Sequence, residues 1–134
     1  MPDKQVNIST YLDSTFLKNS SELGVSNLEL EILVTAIINE AIDYEFKCIM
    51  IRPMFVSLAK QIKDQRKSKI NIGTVVDFPL GINSVNIKLK EAKAAIKNGV
   101  KELDFVCDYN TFKIGGYAIF DETIFKCTKL ALNN

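Results

Sequence analysis

Lys101-Glu102-Leu103-Asp104-Phe105-Val106-Cys107 is a short, nearly continuous apolar run with a carboxylate at its centre. Such a run reads as a strand of a parallel sheet, where helices cover both faces and strict alternation is lost. An ionised side chain in a dry core costs several kcal/mol unless it is paired or hydrogen-bonded. Asp104 is therefore either part of a site or a structural carboxylate held by backbone or hydroxyl donors.

The segments around this strand repeat one pattern. Upstream, residues 84–98 read as a helix with Val85, Leu89, Ala92 and Ile96 as its core stripe, and Gly99 fits the left-handed residue that ends it. Lys90, Lys93 and Lys97 fall on another, solvated face of that helix. Residues 70–76 form a third strand, with Phe78-Pro79-Leu80-Gly81 as its exit loop. Residues 54–65 form a helix behind Pro53, with Val56, Leu58, Ala59 and Ile62 inward, and residues 46–51 form the strand before it. Ser26 and Glu29 have capping-box spacing and open a helix to about residue 44, with Leu30, Leu33, Ile37 and Ala41 as its stripe. Residues 11–17 are the first strand. Downstream, residues 108–117 read as a loop and residues 118–130 as a fourth helix. Four βα units in a row predict an α/β fold, a parallel sheet with right-handed crossovers, in one domain over residues 1–134.

Composition narrows the function classes. Lys+Arg total 17 against 16 Asp+Glu, a net charge of +1, which argues against broad nucleic-acid or membrane-surface binding. No apolar run approaches the ~20 residues of a membrane span, and Met1-Pro2-Asp3-Lys4-Gln5 lacks the apolar core of a leader. Cys48, Cys107 and Cys127 are an odd number without paired spacing, so free thiols in a reducing compartment, the cytoplasm, are expected. The chain has no histidine, which removes Ser-His-Asp triads, Cys-His pairs and His-bearing zinc sites. Acid–base chemistry falls to Asp, Glu, Lys, Tyr or Cys.

Parallel α/β folds bind ligands at the C-terminal ends of their strands. That rule selects Asp13, Ser14, Thr15, Met50, Arg52, Val75, Asp77, Phe78, Asp104 and Asp108. Asp13 shares the anomaly of Asp104, an acid inside an apolar run, and the same two readings. Arg52 suits a phosphate or carboxylate, or a surface ion pair. Asp77 reads as a loop-capping residue. Gly115-Gly116 precedes a helix and reads as an anion site or a plain turn. Cys48 and Cys107 lack a base and read as structural.

Several segments, taken together and in order, resemble the deoxyribose-phosphate aldolase family. Tyr11-Leu12-Asp13-Ser14-Thr15-Phe16-Leu17-Lys18 is similar to that family's first-strand signature, Tyr-Ile-Asp-His-Thr-Leu-Leu-Lys. Ile51-Arg52-Pro53-Met54-Phe55-Val56 resembles its second strand exit, and Gly73-Thr74-Val75-Val76-Asp77-Phe78-Pro79-Leu80-Gly81 its third-strand motif. Glu91-Ala92-Lys93-Ala94-Ala95-Ile96-Lys97-Asn98-Gly99 with Glu102-Leu103-Asp104-Phe105-Val106 is similar to its helix and fourth-strand signature. Ser14 stands where that family commonly has histidine, Met50 where cysteine is frequent and Arg52 where asparagine is frequent.

The resemblance implies a (β/α)8 barrel and a class I aldolase, a lyase of deoxyribonucleotide catabolism. It would cleave 2-deoxy-D-ribose 5-phosphate reversibly to glyceraldehyde 3-phosphate and acetaldehyde. A lysine Schiff base serves as the electron sink. The resemblance gives Asp104 the role of proton-relay acid, places Asp13 and Thr15 on the substrate side of strand one, and makes Phe78 a pocket wall. No cofactor and no metal is expected.

The family's imine lysine lies on strand six, its partner lysine on strand seven, and its phosphate loops after strands seven and eight. A complete barrel takes about 250 residues. The expectation is therefore the first half of such a barrel: a truncated product, an expressed fragment or one half of a split enzyme, inactive alone. Lys47 lies near a strand start and Lys18 and Lys113 in loops, the wrong places for an imine. A half barrel leaves strands one and four as open edges, which predicts self-association or a complementing half-barrel chain besides a small-molecule sugar phosphate. The competing expectation is a non-catalytic α/β binding or interaction module.

Overall fold

A computed structural model describes residues 6–134. Residues 1–5, on which the absence of a leader was read, lie outside that range. Four parallel strands form one sheet in the order β1-β2-β3-β4. They are β1 (Asp13–Phe16), β2 (Cys48–Ile51), β3 (Asn71–Val76) and β4 (Glu102–Phe105). The helices are α1 (Ser20–Leu23), α2 (Asn27–Asp43), α3 (Val56–Gln65), α4 (Val85–Lys97), α5 (Tyr109–Lys113) and α6 (Tyr117–Leu132). All four βα units are present in the expected order, with strands shorter than their apolar runs. Among the described residues no helix is long and apolar enough to cross a membrane.

Local chemistry sets the helix boundaries. Glu29 N–H donates to Ser26 Oγ at 3.2 Å and Ser26 N–H donates to Glu29 Oε2 at 2.8 Å, closing the capping box of α2. A second capping box on Asn19 and Glu22 starts α1, a short helix absent from the sequence reading. The expected 108–117 loop holds α5, because Asp108 accepts from Thr111 N–H at 3.0 Å as an N-cap. Residues 8–11, expected to include the start of a strand, make a 3-10 turn instead.

The two sheet faces differ, and that difference positions everything else. Ile49, Ile51 and Ile72 point to the helix side and pack with Leu30, Val34, Ile38, Val56, Ala59 and Ala95. Full burial of an aliphatic side chain contributes roughly 1.5–3 kcal/mol, so this layer holds the sheet together. Cys48, Met50 and Val75 point the other way into a thin cluster joined only by Leu17 and Phe78. Phe16 and Leu103 pack on the helix side, so their alternating neighbours Asp13, Thr15, Glu102 and Asp104 face the thin side. The register runs Thr15–Met50–Gly73–Glu102 across the sheet, with Val75 beside Asp104.

Helix stripes differ from expectation in two places. In α2 the buried residues are Leu30, Val34, Ile38 and Ala41, while Leu33 is exposed and Ile37 half-buried. This helix is apolar nearly all round, so a stripe one residue over fits the same three- and four-residue steps. In α4 the buried residues are Lys88, Ala92 and Ala95, with Val85, Leu89 and Ile96 half-buried.

Candidate functional site

Asp104 does not lie in a dry core. It is exposed, as are Asp13 and Thr15. The thin face has no helix layer over it, and β1 and β4 have no outer strand neighbour among the described residues. The apolar run that suggested two covered faces belongs to an edge strand whose second face meets solvent.

Position along the strands also corrects one expectation. Asp13 is the first residue of β1, opposite Cys48, the first residue of β2. It therefore sits at the foot of the sheet and not at the C-terminal end where it was sought. Thr15 and Asp104 are each third in their four-residue strands. Phe78 follows β3 at its exit, half-buried against the Cys48, Met50 and Val75 cluster. The thin face thus brings Asp13, Thr15, Glu102 and Asp104 to one side, with Phe78 at its C-terminal rim.

The charges on this face are unbalanced. Partial burial, Glu102 and, more weakly, Asp104 push the Asp13 carboxyl above its ordinary range, while Lys47 works against them. Lys47 Nζ lies 4.0 Å from Glu102 Oε1, and Asn71 Nδ2 donates to the same oxygen at 3.0 Å. Burial first, then Glu102, Asp13 and Asp104, raises the Cys48 thiol to about 12. It is a protonated structural cysteine at neutral pH, and all three cysteines are free. Gly73 makes this crowding possible: a Cβ there would stand 2.6 Å from Met50 Cε and 2.9 Å from Cys48 Sγ.

The C-terminal rim carries one ion pair near the surface and one that is buried. Arg52 donates through Nε to the Leu17 carbonyl, approaches Glu22 at 3.8 Å, and stacks 5.1 Å over the Phe78 ring. Those contacts favour the ion-pair reading of Arg52 over the phosphate reading. Behind Phe78, Asp77 has φ 59°, the Phe78–Pro79 peptide is cis, and Gly81 has φ 68°. Asp77 caps this loop, accepting from Asn83 N–H at 2.9 Å, but it is also half of a buried ion pair. Lys88 is 1 % exposed and Asp77 8 %. The Lys88 ammonium donates to the Asp77 carboxylate and, at 2.8 Å each, to the Gly81 and Val106 carbonyls. Burial opposes ionisation of Asp77, yet the hydrogen bonds from Lys88 and Asn83 prevail and hold it below the usual carboxylate range.

The sequence reading did not single out Lys88 or Glu102. Glu102 stands two residues before Asp104, and period two in a strand puts both on one face. Lys88 stands three residues after Val85 and four before Ala92, a core position occupied by a lysine. A cavity of about 120 Å³ lies between α4, α6 and the loops after β3 and β4, lined in part by Ser84, Lys88, Thr111 and Phe120. None of Asp13, Thr15, Phe78 or Asp104 lines it.

No family model matches the chain. Known relatives do. The chain is 34 % identical over 107 residues to the deoxyribose-phosphate aldolase of Natranaerobius thermophilus, covering 80 % of this chain and 44 % of that protein. The solved aldolase QR15 superposes with a TM-score of 0.77 at 26 % identity, over 97 % of this chain and 52 % of its own. The tetrameric deoxyribose phosphate aldolase from Aeropyrum pernix gives a TM-score of 0.74 at 25 % identity, over 94 % and 48 %. The chain spans about half the length of the curated relatives it matches.

Proposed function

We propose that this chain, similar over most of its length to deoxyribose-phosphate aldolases and spanning about half of theirs, carries one side of an aldol site. The reaction is reversible Schiff-base cleavage of 2-deoxy-D-ribose 5-phosphate to glyceraldehyde 3-phosphate and acetaldehyde. The observation that supports this most is the common facing of Asp104, Thr15 and Asp13 on the sheet side that a barrel would enclose. In this reading Asp104 is the proton-relay acid, accepting and returning a proton beside the imine carbon. Thr15 lines the substrate side of β1 with Asp13 below it at the foot of the same face, and Phe78 is the wall at the rim. Residues 1–134 act as a single half-barrel domain.

The imine lysine is the part this side does not provide. Lys88 is buried and holds three acceptors on the helix side of the rim. Lys47 precedes β2 at the foot of the sheet, where it pairs with Glu102. Lys18 follows β1 and is exposed, and Lys113 ends α5 with its ammonium 5.1 Å from the Tyr109 ring. An imine lysine needs a sheltered place on the inner face near a strand exit, and none of these has it. The lysine is therefore supplied by further βα units that pair with the open edges of β1 and β4.

Borohydride trapping with acetaldehyde or 2-deoxy-D-ribose 5-phosphate, read by mass spectrometry, tests this division. The 134 residues alone should gain no lysine adduct. A stoichiometric adduct on any of their lysines would overturn the assignment of the imine to other units.

A further inference from the structure

The foot of the thin face holds a group of donors that the aldol reading does not use as a set. Asp13, Cys48 and Glu102 place one carboxylate oxygen, one sulfur and one carboxylate oxygen all within 4.8 Å of one another. Cys48 is 0 % exposed, and its thiol has no hydrogen-bond partner among the described residues. It is thus a buried, unpartnered sulfur aimed between two carboxylates. Position 73 is glycine, and the place a Cβ would take is filled by Met50 Cε and Cys48 Sγ, 2.6 and 2.9 Å from it, which holds the sulfur close against β3. Asn71 donates to Glu102 Oε1 and fixes that carboxylate in place, the role a hydrogen-bonded neighbour plays behind a metal ligand.

We propose that Asp13, Cys48 and Glu102 bind one borderline divalent cation of the zinc or cobalt class. The donor set decides the class. One thiolate with two carboxylates suits a four-coordinate borderline ion, with water in the fourth position, and is poor for magnesium or calcium, which want oxygen alone. Metal–sulfur and metal–oxygen bonds of about 2.3 and 2.0–2.2 Å set the donor spacing the site must reach, and the exposed Asp13 side chain is the ligand that adjusts to it. As the Cys48 sulfur–metal bond forms, the thiol S–H bond breaks and its proton leaves to the buffer, with no change of oxidation state. The cation would neutralise the field of Asp13, Glu102 and Asp104 that disfavours the thiolate. Lys47, at 4.0 Å from Glu102, is the competing cation. This site lies at the strand starts, the end of such a barrel that serves stability rather than catalysis. It rests on no part of the aldol reading, and it departs from the sequence expectation that no metal is bound.

Cobalt(II) titration of the 134-residue chain, followed by absorption, is the test. One equivalent should bind with a thiolate-to-cobalt charge-transfer band. Cys48→Ser should abolish that band, and Cys107→Ser and Cys127→Ser should keep it. Asp13→Asn and Glu102→Gln should each weaken binding by at least about tenfold, and Lys47→Gln should tighten it. Absence of the band in the parent chain, its survival in Cys48→Ser, or unchanged affinity in both carboxylate variants would overturn the proposal. The carboxylates are exposed or half-buried, so those two variants decide the matter even where Cys48→Ser folds poorly.

Discussion

Replacing Lys88 with methionine removes a buried ammonium that donates to three acceptors. The methionine fits the lysine stem, so little packing is lost, and the change isolates the ammonium. Three acceptors lose their donor: the Asp77 carboxylate and the Gly81 and Val106 carbonyls. Breaking a buried pair by removing one partner costs about 3–5 kcal/mol. Asp77 keeps two hydrogen bonds from Asn83, which places the expected loss at the lower end, about 3 kcal/mol. Against a total of about 5–15 kcal/mol for a domain, the variant would be marginal. The chain has no tryptophan, so urea unfolding is best followed by circular dichroism. Lys88→Met/Asp77→Asn should lose less than the sum of its single variants, with a coupling of about 1–3 kcal/mol. The pH dependence carries a sign. The folded Asp77 pKa lies below its unfolded value near 3.9, so its contribution is complete above about pH 4 and is lost as pH falls through the folded pKa. Lys88→Met should flatten that acid-side loss. A cost under about 1 kcal/mol, or additive single variants, would refute the reasoning.

Other changes probe separate parts of the fold. Gly81→Ala forces a Cβ to 2.6 Å from the Cys107 carbonyl oxygen at a residue with φ 68°, and should cost roughly 1–3 kcal/mol in the same urea assay. Ser26→Ala opens the α2 capping box and should cost about 1 kcal/mol, leaving the m-value unchanged. Cys48, buried and raised to about 12, should resist iodoacetamide in the folded chain while half-buried Cys107 reacts first, as read by peptide mass spectrometry.

What could be read from sequence follows from what each residue type reports. The four strands and four long helices were legible because β-branched runs and three- and four-residue apolar steps survive on any background. The capping box at Ser26 and Glu29 was legible because the motif is local and reciprocal. Burial of individual residues was less so. An apolar helix such as α2 carries several equivalent stripes, and only its tertiary neighbours select Val34 and Ile38. Lys88 was invisible because a lysine in a helix is normally solvated, and its acceptors come from the loop after β3 and from Val106, just past β4. Asp104 drew attention for a reason that did not hold: its run of apolar neighbours suggested a core, whereas the thin face leaves it exposed. Its facing beside Asp13 and Glu102 depends on strand alternation and on register, and the register needed the structure.

The most direct test of the aldol reading is complementation. This chain, combined with the part of the Natranaerobius thermophilus relative that completes a barrel, should cleave 2-deoxy-D-ribose 5-phosphate when neither part does so alone. Asp104→Asn should lower that rate by about 100-fold or more, the scale of a lost general acid. A folded complex without activity, or a rate that Asp104→Asn leaves unchanged, would contradict the assignment of Asp104 as the proton-relay acid.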